Sequence, residues 1–173
     1  MNEGILTEVD GRPALRFTRR LPHPVERVWR AVSAEEELAE WFVVPMDLRH
    51  QGQRFQLMEQ PGTVLRYDPP RVLEWEWGDD RFSFHLEAEG GVTVLTFVHV
   101  FGDRSRGADL GSGWHVHLES LEAHLSGVPV PDADPARLLA LNDSYAERFG
   151  LDPEVGRLQL AQHDGSDGDP STG

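Results

Sequence analysis

The chain of 173 residues contains no cysteine and no lysine. The first absence excludes disulfides, thiolate metal sites, thiol nucleophiles and cysteine-held clusters, because each needs a side-chain sulfur. The second excludes a P-loop phosphate site and side-chain Schiff-base catalysis, because both need an amine that arginine cannot supply. All 16 basic residues are arginine, so any metal would have to be held by His, Asp or Glu. Positive charge is also scarce. Against 30 acidic residues the formal net charge is −14, and no basic cluster exceeds the pair Arg19 and Arg20. Such a chain repels phosphate backbones and anionic headgroups, so neither nucleic acid nor a membrane surface is expected as a partner. No apolar run approaches the ~20 residues of a membrane span, and the opening MNEGILTEVDG has neither the basic nor the apolar block of a signal peptide. A cytoplasmic location is expected.

What is present suits one globular domain with an appendage, at 39% hydrophobic residues and a length that can bury a core. In PALRFTRRL the odd positions Leu15, Phe17 and Leu21 share one face of a strand, with Arg19 between them on that face. Past two prolines, Val25, Val28, Trp29 and Val32 form an apolar stripe at helical spacing. The run SAEE predicts that Ser33 closes this helix and caps a second one, with Glu36 as its reciprocal partner and Leu38, Trp41 and Phe42 on the apolar edge. Six strands are then expected in MDLRH, RFQLME, TVLRYD, RVLEWEWG, RFSFHLEAE and VTVLTFVHVF, separated by QGQ, PG, DPP, GDD and GG. Leu73, Trp75 and Trp77 alternate with glutamates, and Phe82, Phe84 and Leu86 alternate with polar residues, so one face is buried. His99 shares a face with Leu95, Phe97 and Phe101. The loop GDRSRGADLGSG reads as a mobile lid and only weakly as a phosphate cradle. A long helix from about Trp114 to Leu125 follows, with Trp114, Leu118, Leu121 and Leu125 on its apolar face and Gly127 at its stop.

These elements predict an α+β architecture in which a curved antiparallel sheet wraps around a long C-terminal helix, with two short helices after the first strand. The domain spans 1–127. Residues 128–160 read as a linker and short helical extension carrying Leu138, Leu139, Leu141, Tyr145 and Phe149, and 161–173 as a disordered acidic tail. Packing beside the domain, mediating a homodimer, or neither are the open roles of the extension.

The segments FTRRLPHPVERVWRAVSAEEELAEWF, YDPPRVLEWEW, VTVLTFVHV and GWHVHLESLEAHL, in that order over about residues 13–127, resemble the bacterial branch of the heat-shock protein 90 ATPase-activator homologues. That branch lies within the START-like (SRPBCC) superfamily. The resemblance implies the helix-grip fold and a deep pocket between sheet and helix. For function it implies a range: lipid and hormone binders, polyketide cyclases and aromatases, hydroxylase domains and a co-chaperone. The co-chaperones also carry an amino-terminal domain with an asparagine- and tryptophan-rich signature, and neither is found in these residues.

The candidate site is an internal cavity. Trp41, Trp75, Trp77, Phe84, Phe97 and Trp114 are either plain core or the rigid wall of a ligand cavity, with Leu121 beside them. His115 and His117 lie about 200° apart on a helix, which excludes joint chelation of one ion. His115 is expected in solvent near Glu119 and Glu122. His117 borders the buried stripe, as a satisfied core histidine or as a polar group in the pocket wall, and His99 could cooperate with it. Arg19 would either bind a ligand carboxylate or phenolate, or form an internal ion pair with Asp47 or Glu59. Ser105, Ser112 and Ser120 lack any nucleophile context. The expected activity is binding of a small hydrophobic or aromatic molecule, with no cofactor, no metal and no required catalysis. A cyclase-like enzyme and a co-chaperone-like regulator are the alternatives.

Overall fold

The computed structural model describes residues 3–42 and 46–164. Strands β1 (Ile5–Val9) and β2 (Arg12–Leu21) form a hairpin across Asp10 and Gly11, whose φ values of 51° and 75° suit an Asp-Gly turn that follows strand twist. The sequence pattern did not reveal β1, because this edge strand is only partly buried and does not alternate cleanly. Helices α1 (Val25–Ser33) and α2 (Glu35–Trp41) come next. β3 (Arg54–Leu57), β4 (Gln60–Asp68), β5 (Val72–Trp77), β6 (Asp80–Glu89) and β7 (Val92–Val100) then complete a seven-stranded antiparallel sheet in the order β1-β2-β7-β6-β5-β4-β3. Helix α3 (Gly107–Leu125) packs on its inner face. This is the helix-grip fold.

Cross-strand register lays out that inner face in rows. Phe17, Phe97, Phe84 and Leu73 stand opposite one another on successive strands, as do Leu15, His99, Phe82 and Trp75. Because side chains alternate with period two, each row packs as a continuous band under α3. The first band is closed core: Phe17, Phe84, Phe97 and Leu73 are at most 1% exposed.

Several local expectations need correction. Ser33 caps nothing; its hydroxyl donates back to the Trp29 carbonyl at 2.6 Å, and α2 starts after Ala34 with three glutamates in its first turn, where they favour the helix dipole. MDLRH forms no strand; Met46 and Leu48 are buried from an irregular segment. Pro61 and Gly62 lie inside β4, and the reversal falls instead at Met58 and Glu59, with φ of 48° and 65°. The segment read as a lid is a short helical turn (Arg104–Arg106) and the first two turns of α3. Gly107 serves close packing: a Cβ there would stand 3.1 Å from Leu151.

The extension is two helices, α4 (Pro135–Phe149) and α5 (Pro153–Asp164), both packed on α3. Asp134 caps α4 through the Ala136 and Arg137 amides, and Gly150 ends it in the left-handed region, as these residue types favour. Residues 161–164 belong to α5, and 165–173, the rest of the expected tail, lie outside the described residues. Tyr145 joins α4 to the domain. Its buried hydroxyl accepts from the Gly4 amide at 2.9 Å and stands 2.8 Å from His115 Nδ1, and its ring meets Phe17 edge-on. Removing that hydroxyl leaves two buried polar groups short of a partner. Tyr145→Phe is therefore expected to lower unfolding free energy by about 1–2 kcal/mol in urea melts; unchanged stability would contradict the anchoring role.

Candidate ligand cavity

Under the first half of α3 the core opens into a cavity of about 400 Å³, within the range that holds small-molecule ligands. Its floor is the second cross-strand band, Trp75, Phe82 and His99. Its roof is Leu110, Gly113, Trp114 and His117 of α3, spaced i, i+3, i+4 and i+7 so that all four face the sheet. Trp77, Leu57 and Met58 close one side, Phe42 and Met46 another, and Gln159, Leu160 and His163 of α5 a third. Gly113 contributes no side chain to the roof, and a Cβ there would meet nothing within 4 Å.

One hydrogen-bond chain links roof to floor. Trp114 Nε1–H donates to His99 Nδ1 at 3.1 Å, and His99 Nε2 lies 2.8 Å from Asp80 Oδ2. An indole nitrogen can only donate, so Nδ1 carries no proton and Nε2–H donates to the carboxylate. Burial pushes the His99 pKa below its ordinary value despite the opposing pull of Asp80. Both ring nitrogens are committed, so His99 positions its neighbours and has no lone pair left for a ligand. Phe82 stacks on the His99 ring at 4.3 Å and on Trp75 at 5.2 Å.

His117 differs. It makes no hydrogen bond among the described residues; its ring packs edge-on against Phe42 at 4.9 Å. Burial alone lowers its pKa to about 4, so at neutral pH it offers the cavity one N–H and one lone pair. Arg106 and Asp109, also on the cavity margin, close on each other with Nη2 to Oδ2 at 2.6 Å; the hydrogen bonds of this pair raise the arginine pKa.

Of the residues expected at the site, Trp75, Trp77, His99, Trp114 and His117 border the cavity. Trp41 and Phe84 stand behind it around a void of about 10 Å³, no larger than one water, and the Trp41 indole is spent on the Ala31 carbonyl at 2.8 Å. Phe97 supports Trp114 from below, ring centroids 4.0 Å apart. Leu121 is buried core one turn past His117. Arg19 lies away from the cavity. Its Nε stands 2.9 Å from Glu122 Oε1 and its Nη1 donates to the Thr18 carbonyl. Its ion-pair partner is thus neither Asp47, which pairs with Arg49 two residues on, nor Glu59, but a glutamate of the helix that crosses β2. His115 is not in solvent: α4 covers that face of α3, leaving the ring half-buried between Tyr145 and Glu119. His115 and His117 do point apart, one to α4 and one to the cavity.

Of the lining residues not expected at the site, Asp80, Phe42, Gln159 and Leu160 escaped the sequence reading for identifiable reasons. Asp80 was assigned to a turn, although its even-numbered alternation with Phe82 puts it on the inner face opposite Trp77. Phe42 was counted only as a helix edge. Gln159 and Leu160 sit on a helix that no periodicity announced. No set of three His, Asp or Glu side chains among the described residues is arranged to hold a metal ion, and no described helix is long and apolar enough to cross a membrane.

Residues 22–126 match the family described as "Activator of Hsp90 ATPase homolog 1-like protein". The chain belongs to that family. Among solved structures, CalU16 from Micromonospora echinospora aligns with a TM-score of 0.73 at 23% identity, covering 85% of this chain and 97% of its own. EF2215 from Enterococcus faecalis gives 0.66 at 19% identity, covering 85% and 90%. The product of gene BPP1335 from Bordetella parapertussis gives 0.64 at 28% identity, covering 85% and 91%. A share of 85% cannot be met within residues 1–127, so each likeness reaches into the C-terminal helices. No curated protein matches.

The neutral His117 has a consequence for this family member's acid stability. Its pKa falls from an ordinary 6.5 to about 4 on folding, so between those values the unfolded chain takes up a proton that the folded one refuses. Stability is therefore full above pH 6.5 and declines as pH drops toward 4, by at most about 1.4 kcal/mol per pH unit from this residue. His99 and His115 shift in the same direction. In urea melts across this window His117→Phe is expected to flatten the acid limb; an unaltered limb would contradict a buried neutral imidazole.

Proposed function

We propose that the protein binds a small, largely apolar aromatic molecule in this cavity. The observation that carries the reading is a void of about 400 Å³ bordered by three indole rings and by a histidine that makes no hydrogen bond among the described residues. Apolar burial at roughly 25 cal/mol per Å² would supply most of the affinity. His117 would orient one polar group of the ligand through a single hydrogen bond.

Proton transfer of the polyketide-cyclase kind is a second reading, supported by three histidines on one cavity. With both nitrogens of His99 engaged and His163 set at the exposed α5 rim against the Gln159 carbonyl, such a step would fall mainly to His117, a weak base at a pKa of about 4. A co-chaperone role, suggested by the family's name, would need a broad exposed apolar face. The most exposed large apolar residues, Met58 and Leu158, sit on the β3–β4 turn and on α5.

Gly113 offers a direct test. It borders the cavity, and a Cβ built there meets nothing within 4 Å. Gly113→Leu should fill part of the void without straining the backbone, and helix propensity favours it by about 0.5–1 kcal/mol. Titration with neutral naphthylmethanol, followed by quenching of tryptophan emission, is expected to show saturable binding that weakens about tenfold or more in the variant, whose thermal midpoint does not fall. Absence of binding to the unmodified protein, or equal affinity in the variant, would sink the proposal.

A further inference from the structure

The polar margin of the cavity carries charge of one sign. Arg106 and Asp109 neutralise each other through three contacts of 2.6 to 3.1 Å. His99 adds no positive charge while the indole of Trp114 occupies its Nδ1. What remains is Asp80, 31% exposed, with one carboxylate oxygen held by His99 Nε2–H. A neutral imidazole fixes that carboxylate without cancelling its charge. Asp80 stands opposite Trp77 in the β5–β6 register. The Trp77 indole N–H is spent on the Leu57 carbonyl at 3.0 Å and that of Trp114 on His99. With its donor consumed, the Trp77 indole offers a ligand its π-system, which attracts cations; the Trp114 ring is already stacked on Phe42 at 5.4 Å and packed on Phe97 at 4.0 Å. A carboxylate ligand would meet Asp80 at close range, while Arg106, the guanidinium among the described lining residues, is already paired with Asp109; Arg19, the candidate anion receptor, is elsewhere, paired with Glu122.

We propose that the cavity selects ligands that carry a protonated amine on an aromatic or cyclic frame, with the ammonium recognised jointly by the Asp80 carboxylate and the face of the Trp77 indole opposite it. The inference rests on the ligand-binding reading above and adds to it the sign of the ligand's charge.

Three probes on one frame separate the two ideas: naphthylmethylamine, naphthylmethanol and naphthoate, titrated at pH 8, where an ordinary histidine is neutral, and at 0.15 M salt, where the Debye length of about 8 Å screens the protein's overall acidity. The amine is expected to bind about tenfold more tightly than the alcohol, and naphthoate most weakly. Asp80→Asn, which keeps an acceptor for His99, should collapse the amine-to-alcohol ratio toward one. Asp79→Asn, at the exposed neighbouring position, should leave the ratio as it was. Alcohol binding equal to amine binding, naphthoate binding most tightly, or an Asp80→Asn ratio still near the original would overturn the charge selectivity while leaving the cavity's ligand-binding reading intact. Failure of all three probes to bind the unmodified protein would overturn both. The ranking in the unmodified protein decides the matter even if a variant fails to fold.

Discussion

The hydrogen bond from the Trp114 indole to His99 ties the helix of this fold to its sheet at the place where the two stand apart. Elsewhere α3 rests mainly on apolar side chains: Leu118, Leu121 and Leu125 belong to the buried core, with Leu15, Phe17, Leu95 and Phe97 on the strands below, and Glu122 pairs with Arg19 of β2. Toward its start the polar link to the sheet is made by Trp114. Its ring stands on Phe97 and beside Phe42, while its N–H reaches a histidine that is 2% exposed. A buried imidazole without partners would be costly, and here both nitrogens are satisfied, one from the roof and one by Asp80. The cavity is thus spanned by a directional contact whose geometry depends on one protonation state.

The same constraint explains the character of the site. Because the polar atoms of His99, Trp114 and Trp77 are consumed within the protein, the wall they form is chemically apolar despite its nitrogen content. His117, neutral, and Asp80, charged, are left as polar groups of the lining, with the Arg106–Asp109 pair, Gln159 and His163 on its margin. The extension completes the enclosure. Tyr145 fastens α4 to β2 and to the chain's first residues, and α5 then supplies Gln159 and Leu160 to the cavity. Both helices pack on α3.

Much of this was legible beforehand. Strict alternation in LEWEW and FSFHL exposed the inner face, and the stripe from Trp114 to Leu125 exposed the helix that lies over it, because burial on one face writes a period into the sequence. Quoted segments from 13 to 127 also carried the family resemblance. What escaped had physical causes. β1 and α5 are amphipathic too weakly to register. The glycines of GADLGSG, which locally signal a loop, lie inside a helix that tertiary contacts impose, with Gly107 packed close against Leu151 and Gly113 open to the cavity. Ser33 had two acceptable partners, and the carbonyl of Trp29 won over a capping role. Arg19 was correctly seen as inward, but its partner depends on which residue of α3 crosses β2, and that is a matter of docking rather than of pattern. Asp80 was within reach of the alternation rule had the GDD turn been read one residue shorter.

The protonation state of His99 is the sharpest point of access to this account. Long-range proton–nitrogen NMR of the histidine side chains in the full chain would report it without perturbing the site. The expected spectrum at pH 6.5, where an ordinary histidine is half protonated, is a neutral ring bearing its proton on Nε2. A proton on Nδ1, or an imidazolium at that pH, would contradict the tether between helix and sheet on which the cavity depends.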